Sequence, residues 1–305
     1  MRQPNARAMV RGRHESIARF NITEDGTLLA TAIALLRDHK ANKVKSMLRH
    51  NQLAVNGEPS SQFDRPVRAG DVLEVNYTRS FEVFSHPQVK LLYSDDDIMV
   101  VEKPAGMLAT SDGRTNVKET VYHIMREFVK RRNDRAHVYV VHRLEREASG
   151  VMLLARTKKM RERLVTSWGT LVGERTYAAV VEGIVEKDRG QVKGYLAEDE
   201  ETHLIYTTND KVIGKPATTA WTVVGQGRRN TLVEINLKNG SKHQIRVHMS
   251  SIGHPVSGDR TYGGHNNPLR RVALHCLRLT LNHPATGKAL TFESPLPEGF
   301  ERLLG

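Results

Sequence analysis

The stretch "VVHRLEREASGVMLLA", residues 140–155, sets a carboxylate, Glu145, between Arg143 and Arg146 just ahead of an apolar run. A carboxylate serves as acid, base or nucleophile where its surroundings control its charge. Two other segments carry groups that could do so. "ERTYAAVVEG" places Tyr177 in a run of β propensity after the basic Arg175, and "LKNGSKHQIRVHMSSIGHPVSGDRTYG" carries Arg246. An arginine keeps a paired carboxylate charged and oriented even when it is buried. A tyrosine can stack on a base flipped out of a nucleic acid. Taken singly, Glu145 reads as a surface ion pair, Tyr177 as core filler and Arg246 as a structural salt bridge. Together, an acid, an aromatic and an arginine on three separated segments form a coherent set.

Other chemistries leave no trace in the sequence. There is no phosphate-binding Walker loop, no Gly-rich dinucleotide turn, no HExxH and no GxSxG. Ser149 sits in a small "ASG" turn, but no His-Asp partnering can be read for it. His243 and His248 are five apart, the wrong spacing for two ligands on one helical face. No metal and no cofactor is expected. The single cysteine, Cys276, excludes a disulfide framework and a cysteine-based zinc site, and fits a reducing cytoplasm. No window approaches the length of a membrane span.

The elements that must position these groups follow from apolar spacing. Residues 27–38, "TLLATAIALLRD", predict a helix, and "NKVKSMLRHN" predicts a second, with Val44 and Leu48 on one face and Lys45 and Arg49 on another. Asn56-Gly57 is a hairpin signal, and Ala69-Gly70-Asp71 turns into the alternating strand "VLEV". A connector with a His86-Pro87 step follows. Residues 117–131, "VKETVYHIMREFVKR", predict a helix, and "RTYAAVVEGIV", "PATTAWTVVGQG" and "TLVEINLKNG" are rich in β propensity. Ser241 and Gln244 have the spacing of a capping box, and Gly253 and Pro255 mark a stop. They predict a helix over 242–252 with Ile245, Met249 and Ile252 buried, although alternating Gln244, Arg246 and His248 would also suit a strand. The whole reads as α+β, with a mixed, largely antiparallel sheet.

Charge points to the partner. The formal net charge is +12, and residues 1–50 hold ten Lys or Arg against four Asp or Glu, a net of +6. Half of the excess thus lies in a sixth of the chain, which favours a polyanion, because neutralising phosphates releases counterions.

Residues 17–80 resemble the small α/β RNA-binding domain first seen in ribosomal protein S-four. The resemblance implies that Lys43, Lys45 and Arg49 of the basic second helix, and Asn56 of the "VNG" turn, contact RNA. "HRLEREASGVMLLAR" is similar to the motif HRLD-x-x-TSG of the RluA-type RNA pseudouridine synthases. "RTYAAVVEG" matches their K-x-Y-x-A-x-V-x-G segment, and "HQIRVHMSSIGHPVSGDRTYG" matches their HQIRVH…GHPI-x-GD-x-YG segment. Composition suggests a basic flexible tail (1–16) and the His86-Pro87 connector a linker (81–90), while the likeness implies the RNA-binding domain (17–80) and a catalytic domain of pseudouridine-synthase type (91–305). The likeness also implies a cofactor-free reaction on RNA, with large-subunit ribosomal RNA as the expected substrate; a monomer without metal is expected. In that family a uridine is flipped out, its N-glycosidic bond is broken, and the uracil is turned and rejoined through carbon. By position, Glu145 carries the chemistry, Arg246 pairs with it and Tyr177 packs against the base, while His142 and Arg143 bind RNA.

The sequence also departs from the family. Glu145 stands where the motif has aspartate, Ala148 where it has threonine, and "NGSK" where it has TGRT. One methylene moves the carboxylate by about 1.5 Å, and a misplacement of about 1 Å can cost on the order of a hundredfold in rate. Two expectations follow: a pocket remodelled around a longer acid, or a silent site in an RNA-binding or ribosome-assembly factor. Retention of Tyr177, Arg246 and His142-Arg143 favours the first.

Overall fold

Apolar spacing and turn chemistry account for the first elements of the computed structural model, which describes residues 9–10, 16–78, 80–113, 116–131, 133–237 and 240–305. Of the tail assigned to residues 1–16, residues 1–8 and 11–15 lie outside the described residues, and Met9–Val10 pair antiparallel with Glu82–Val83. Strand β1 (Ile17–Asn21) leads into helices α1 (Leu28–Leu35) and α2 (Ala41–Arg49), then strands β2 (Leu53–Val55), β3 (Glu58–Pro59) and β4 (Val72–Asn76). The four strands form one sheet in the order β1-β4-β2-β3. Between β2 and β3, Asn56 and Gly57 take φ of 52° and 81°, the conformation a tight hairpin turn requires. Helix α2 buries Val44, Met47 and Leu48 in a core with Leu28, Ala32, Leu53 and Leu73. Its other face leaves Lys43, Lys45 and Arg49 exposed. Helix α1 stops short of the expected Asp38 because Leu36 leaves helical geometry and His39 donates back to the Leu36 carbonyl.

The chain divides into two compact units, residues 1–101 and 102–305. The second unit holds α3 (Val121–Lys130), β5 (Tyr139–Val140), β6 (Ser149–Ala155), α4 (Lys158–Thr166), α5 (Trp168–Leu171) and β7 (Val172–Glu182). There follow β8 (Arg189–Glu198), β9 (Ile205–Thr208), β10 (Lys215–Gln226), β11 (Asn230–Asn236), α6 (Gln244–Ser251), β12 (Leu274–Asn282), β13 (Ala289–Glu293) and α7 (Glu298–Arg302). Its strands run β9-β8-β10-β11-β7-β12-β6, with β5 on β6 and β13 on β12. Only the β6–β12 pair among these is parallel. The fold is α+β with a mixed, mostly antiparallel sheet, as the sequence predicts. No helix among the described residues is long and apolar enough to cross a membrane. Helix α3 starts at Val121 rather than at 117, because the Thr120 hydroxyl caps the His123 N–H and a separate 3-10 turn fills Val117–Glu119.

The centre of this sheet fixes the geometry that matters. Cys276 on β12 is opposite Tyr177 on β7 and opposite Gly150 on β6. Three strands thereby bring the end of the Glu145 loop alongside Tyr177. Gly150 has φ of 111°, and a Cβ there would lie 2.1 Å from the Cys276 carbonyl oxygen. Only glycine permits that approach. Gly150→Ala is expected to destabilise the protein by about 4 kcal/mol or more, beyond the ordinary range of single substitutions. Chemical denaturation measures this, and a loss below about 1 kcal/mol would show that the strands can separate freely.

Candidate active site

Glu145 lies on the loop between β5 and β6, and both ends of that loop are anchored. At its start, His142 Nε2 accepts the Leu153 N–H at 3.0 Å. At its end, the Ser149 hydroxyl contacts His275 Nδ1 at 2.7 Å and accepts from Arg271 Nη2 at 2.9 Å. Between them, Arg146 is spent on the turn at 104–107: its carbonyl accepts from the Gly106 N–H at 2.7 Å, and its Nε donates to the Gly106 carbonyl at 3.2 Å. The fully buried Lys103 ammonium closes the same turn by donating to the carbonyls of Pro104, Met107 and Arg146. Burial, with Arg271 nearby, brings the Lys103 pKa down to about 7. Arg143 is exposed. The arginines beside Glu145 in sequence are therefore not its partners.

The partner is 101 positions away. Arg246 Nη1, on α6, donates to Glu145 Oε2 at 2.8 Å. The other edge of the guanidinium forks onto Asp259, Nε to Oδ2 at 2.6 Å and Nη2 to Oδ1 at 2.7 Å. Asp259 is fully buried and Arg246 nearly so, while about a quarter of the Glu145 side chain is exposed. One arginine thus orients two carboxylates, and the exposed one faces the cavity. Tyr262 lies beneath, its ring centroid 5.0 Å from the Arg246 guanidinium carbon.

Helix α6 begins two residues later than the expected 242. Gln244 does reach back to the Ser241 N–H, at 3.0 Å, as the capping-box spacing predicts. His243, however, takes a left-handed φ of 54°, and its N–H points to Glu145 Oε1 at 3.1 Å. A non-glycine residue held in that region costs energy, and such residues cluster at functional sites. Here it adds an N–H and the positive end of α6 to the Glu145 carboxylate. Of the expected apolar face, Ile245 and Met249 are buried, and Ile252, just past the helix end, is half-buried.

Burial pushes the Glu145 pKa above the ordinary carboxylate value, and Arg246 pulls it back only in part. Burial also works against the Arg246 charge, but Asp259 and Glu145 more than offset it and hold its pKa high. Burial, together with Arg246 and Lys242, drops His243 to about 4, and burial beside Arg175 drops His142 to about 3. Both imidazoles are neutral at pH 7. Burial raises the Tyr177 hydroxyl well above its usual range and lifts its neighbour, the Cys276 thiol, to about 12.

Glu145, Tyr177, His142 and Arg143 line one cavity of about 320 Å³, together with Arg175 and Ile245. That volume is within the range of small-molecule sites. Arg246 stands behind it, through Glu145. Lys43, Lys45 and Arg49 lie in the first unit; Asn56 there is engaged in its own turn, donating to Asp71 at 2.7 Å and accepting from the Val72 N–H at 2.8 Å. Sequence reasoning does not assign Asp259, Tyr262, His243 or Lys103. Asp259 and Tyr262 lie in "GHPVSGDRTYG", where a Gly-Asp step followed by an aromatic is the available signal. The backbone conformation of His243 leaves no signal of its own.

A family model described as RNA pseudouridylate synthase matches residues 97–251. Ribosomal large subunit pseudouridine synthase D of Pasteurella multocida is 30% identical, across 94% of this chain and 93% of that protein. The protein of the same name from Neisseria meningitidis is also 30% identical, across 92% of this chain and 78% of its own length. Among solved structures, human RNA pseudouridylate synthase domain containing 4 shares the fold, with a TM-score of 0.56 and 22% identity over 69% of this chain and 90% of that one. An identity of 30% across nearly the whole length and a family match over residues 97–251 lead to one conclusion: the chain belongs to the RNA pseudouridylate synthase family.

Proposed function

We propose that this protein converts uridine to pseudouridine in large-subunit ribosomal RNA, with Glu145 as the reacting carboxylate. The observation that carries the reading is the Glu145–Arg246–Asp259 array, whose one exposed carboxylate opens on the cavity lined by Tyr177. Relatives named for the ribosomal large subunit support the substrate class. The reaction is an isomerisation. The bond between N1 of uracil and C1′ of ribose breaks, the base turns, and C5 bonds to C1′. A proton lost from C5 balances one gained at N1.

Each part of the site suits a step of that sequence. Arg246 and the His243 N–H hold the Glu145 carboxylate in place, ready to act at the ribose or the base. Tyr177, kept neutral by burial, offers a flat apolar surface against which the detached base can turn. Residues 17–80 serve as an RNA-binding domain, 81–90 as a linker and 91–305 as the catalytic domain. Exposed Lys43, Lys45 and Arg49 on α2 meet phosphates, and Asn56 shapes the adjacent turn.

Purified protein incubated with a large-subunit ribosomal RNA transcript should produce pseudouridine at a defined uridine, read by mass spectrometry of nuclease digests. Binding without conversion would instead support an RNA-binding factor. Lys45→Ala and Arg49→Ala should weaken binding to all RNA sequences alike and each lower the slope of log K against log salt by about 1. Titrations between low and moderate salt check this, and an unchanged slope would remove α2 from the RNA interface.

A further inference from the structure

Arg175 lines the same cavity, and the proposed reaction gives it no task; Lys242, which also lines it, is paired with Glu198. Arg175 is 7% exposed, and its Nε and Nη2 are buried with no hydrogen-bond partner. No ion pair to it is found among the described residues. A buried guanidinium left in that state is costly. Its placement is nonetheless tightly specified. It is two residues before Tyr177 on β7, hence on the same face of the sheet. Its guanidinium carbon is 5.3 Å from the centroid of the Trp168 ring. Gly240 is also close to the guanidinium: a Cβ there would lie 3.0 Å from Nη1 and 3.1 Å from Nη2. The side chains named around it are uncharged. His142 accepts the Leu153 N–H through Nε2, so its proton is on Nδ1, which is also buried and unpartnered. Trp168, Tyr177 and Cys276 complete the surroundings. The charge of Glu145 is already answered by Arg246.

We infer that Arg175 receives the uracil oxygens and stabilises the negative charge that gathers on the base once it leaves the ribose. This rests on the proposal that the cavity isomerises uridine. When N1–C1′ breaks, the bonding pair stays with uracil, whose charge spreads over the ring and its carbonyl oxygens. C1′ is left electron-deficient, facing the Glu145 carboxylate. Bond formation from C5 to C1′, loss of the C5 proton and gain of a proton at N1 return the base to neutrality. The partner that Arg175 lacks is thus supplied by the reaction itself, and a fixed donor aimed at developing charge is an effective catalytic device. A neutral His142 Nδ1–H beside it would donate to the same oxygens.

The test compares single-turnover rates on large-subunit ribosomal RNA transcribed with uridine and with 5-fluorouridine. Fluorine makes the departing base a weaker base, so cleavage needs less help from a cation. Arg175→Met should slow conversion of uridine about a hundredfold but cleavage of 5-fluorouridine only about tenfold, with RNA affinity changed less than about threefold. Arg175→Lys, which keeps the charge, should recover most of the uridine rate. Equal losses on both RNAs would make Arg175 a structural residue and overturn the inference. So would a large loss of affinity with the rate at saturation intact, the behaviour of a phosphate clamp. Wild-type protein that converts neither RNA would refute the proposed function, and this inference with it.

Discussion

Replacing Glu145 with alanine should lower the single-turnover rate of pseudouridine formation by about a thousandfold or more, the scale of a lost catalytic carboxylate. The protein should still fold and bind RNA, because Glu145 is partly exposed and Arg246 keeps its fork on Asp259. Glu145→Asp retains an acid but withdraws it by about 1.5 Å, one carbon–carbon bond. That retreat breaks the 2.8 Å contact to Arg246 Nη1. A loss of roughly ten- to a hundredfold is expected for a misplacement of that size. The pH profile carries the same signature. Burial raises the Glu145 pKa, and the ionised form is the reactive one. The rate should therefore fall about tenfold per pH unit once the pH drops below a pKa that stands above the ordinary carboxylate value. His243, at about 4, and His142, at about 3, are still neutral when that fall begins. An acid limb that survives in Glu145→Gln would assign the titration elsewhere.

Asp259→Ala should produce the second large effect, and on stability as well as rate. Asp259 is fully buried and takes both donors of the Arg246 fork, at 2.6 and 2.7 Å. Removing one partner of such a pair strands a charge away from water and costs about 3–5 kcal/mol. For a unit of some two hundred residues this lowers Tm by roughly 6–20 °C. The rate should fall with it, since Arg246 loses the contact that aims it at Glu145. Asp259→Asn keeps an acceptor of the same shape and should lose less of both. Calorimetry of the three proteins decides the matter, and an Asp259→Ala variant with unchanged Tm would mean that water or another group compensates Arg246.

The sequence discloses those parts of the site whose identity lies in side-chain type. Glu145, Tyr177 and Arg246 stand out as an acid, an aromatic and a base on three segments, and the structure brings them to one cavity or directly behind it. Helix α2 and the turn at Asn56-Gly57 are legible because apolar spacing and turn chemistry are local. Strand β8 is not. Its burial alternates only weakly along "RGQVKGYLAE", so neither period stands out. The start of α6 differs from its local capping signal because a tertiary contact, His243 N–H to Glu145, overrides that signal. Asp259 has no periodic neighbours to mark it, since it leads a 3-10 turn (Arg260–Tyr262) rather than a helix or strand. The small residues after Glu145 take on a definite meaning: Ser149 ties the loop to His275 and Arg271, and Gly150 lets β6 approach β12.

That a glutamate performs this chemistry where the resembling motif has aspartate is tested most directly by one assay. Wild-type protein, Glu145→Ala and Glu145→Asp are compared side by side on large-subunit ribosomal RNA. Pseudouridine made by wild type, lost in Glu145→Ala and slowed in Glu145→Asp is the predicted result. Wild-type protein that makes none, while Glu145→Asp makes pseudouridine, would contradict it and identify the natural chain as an RNA-binding protein with a silent site.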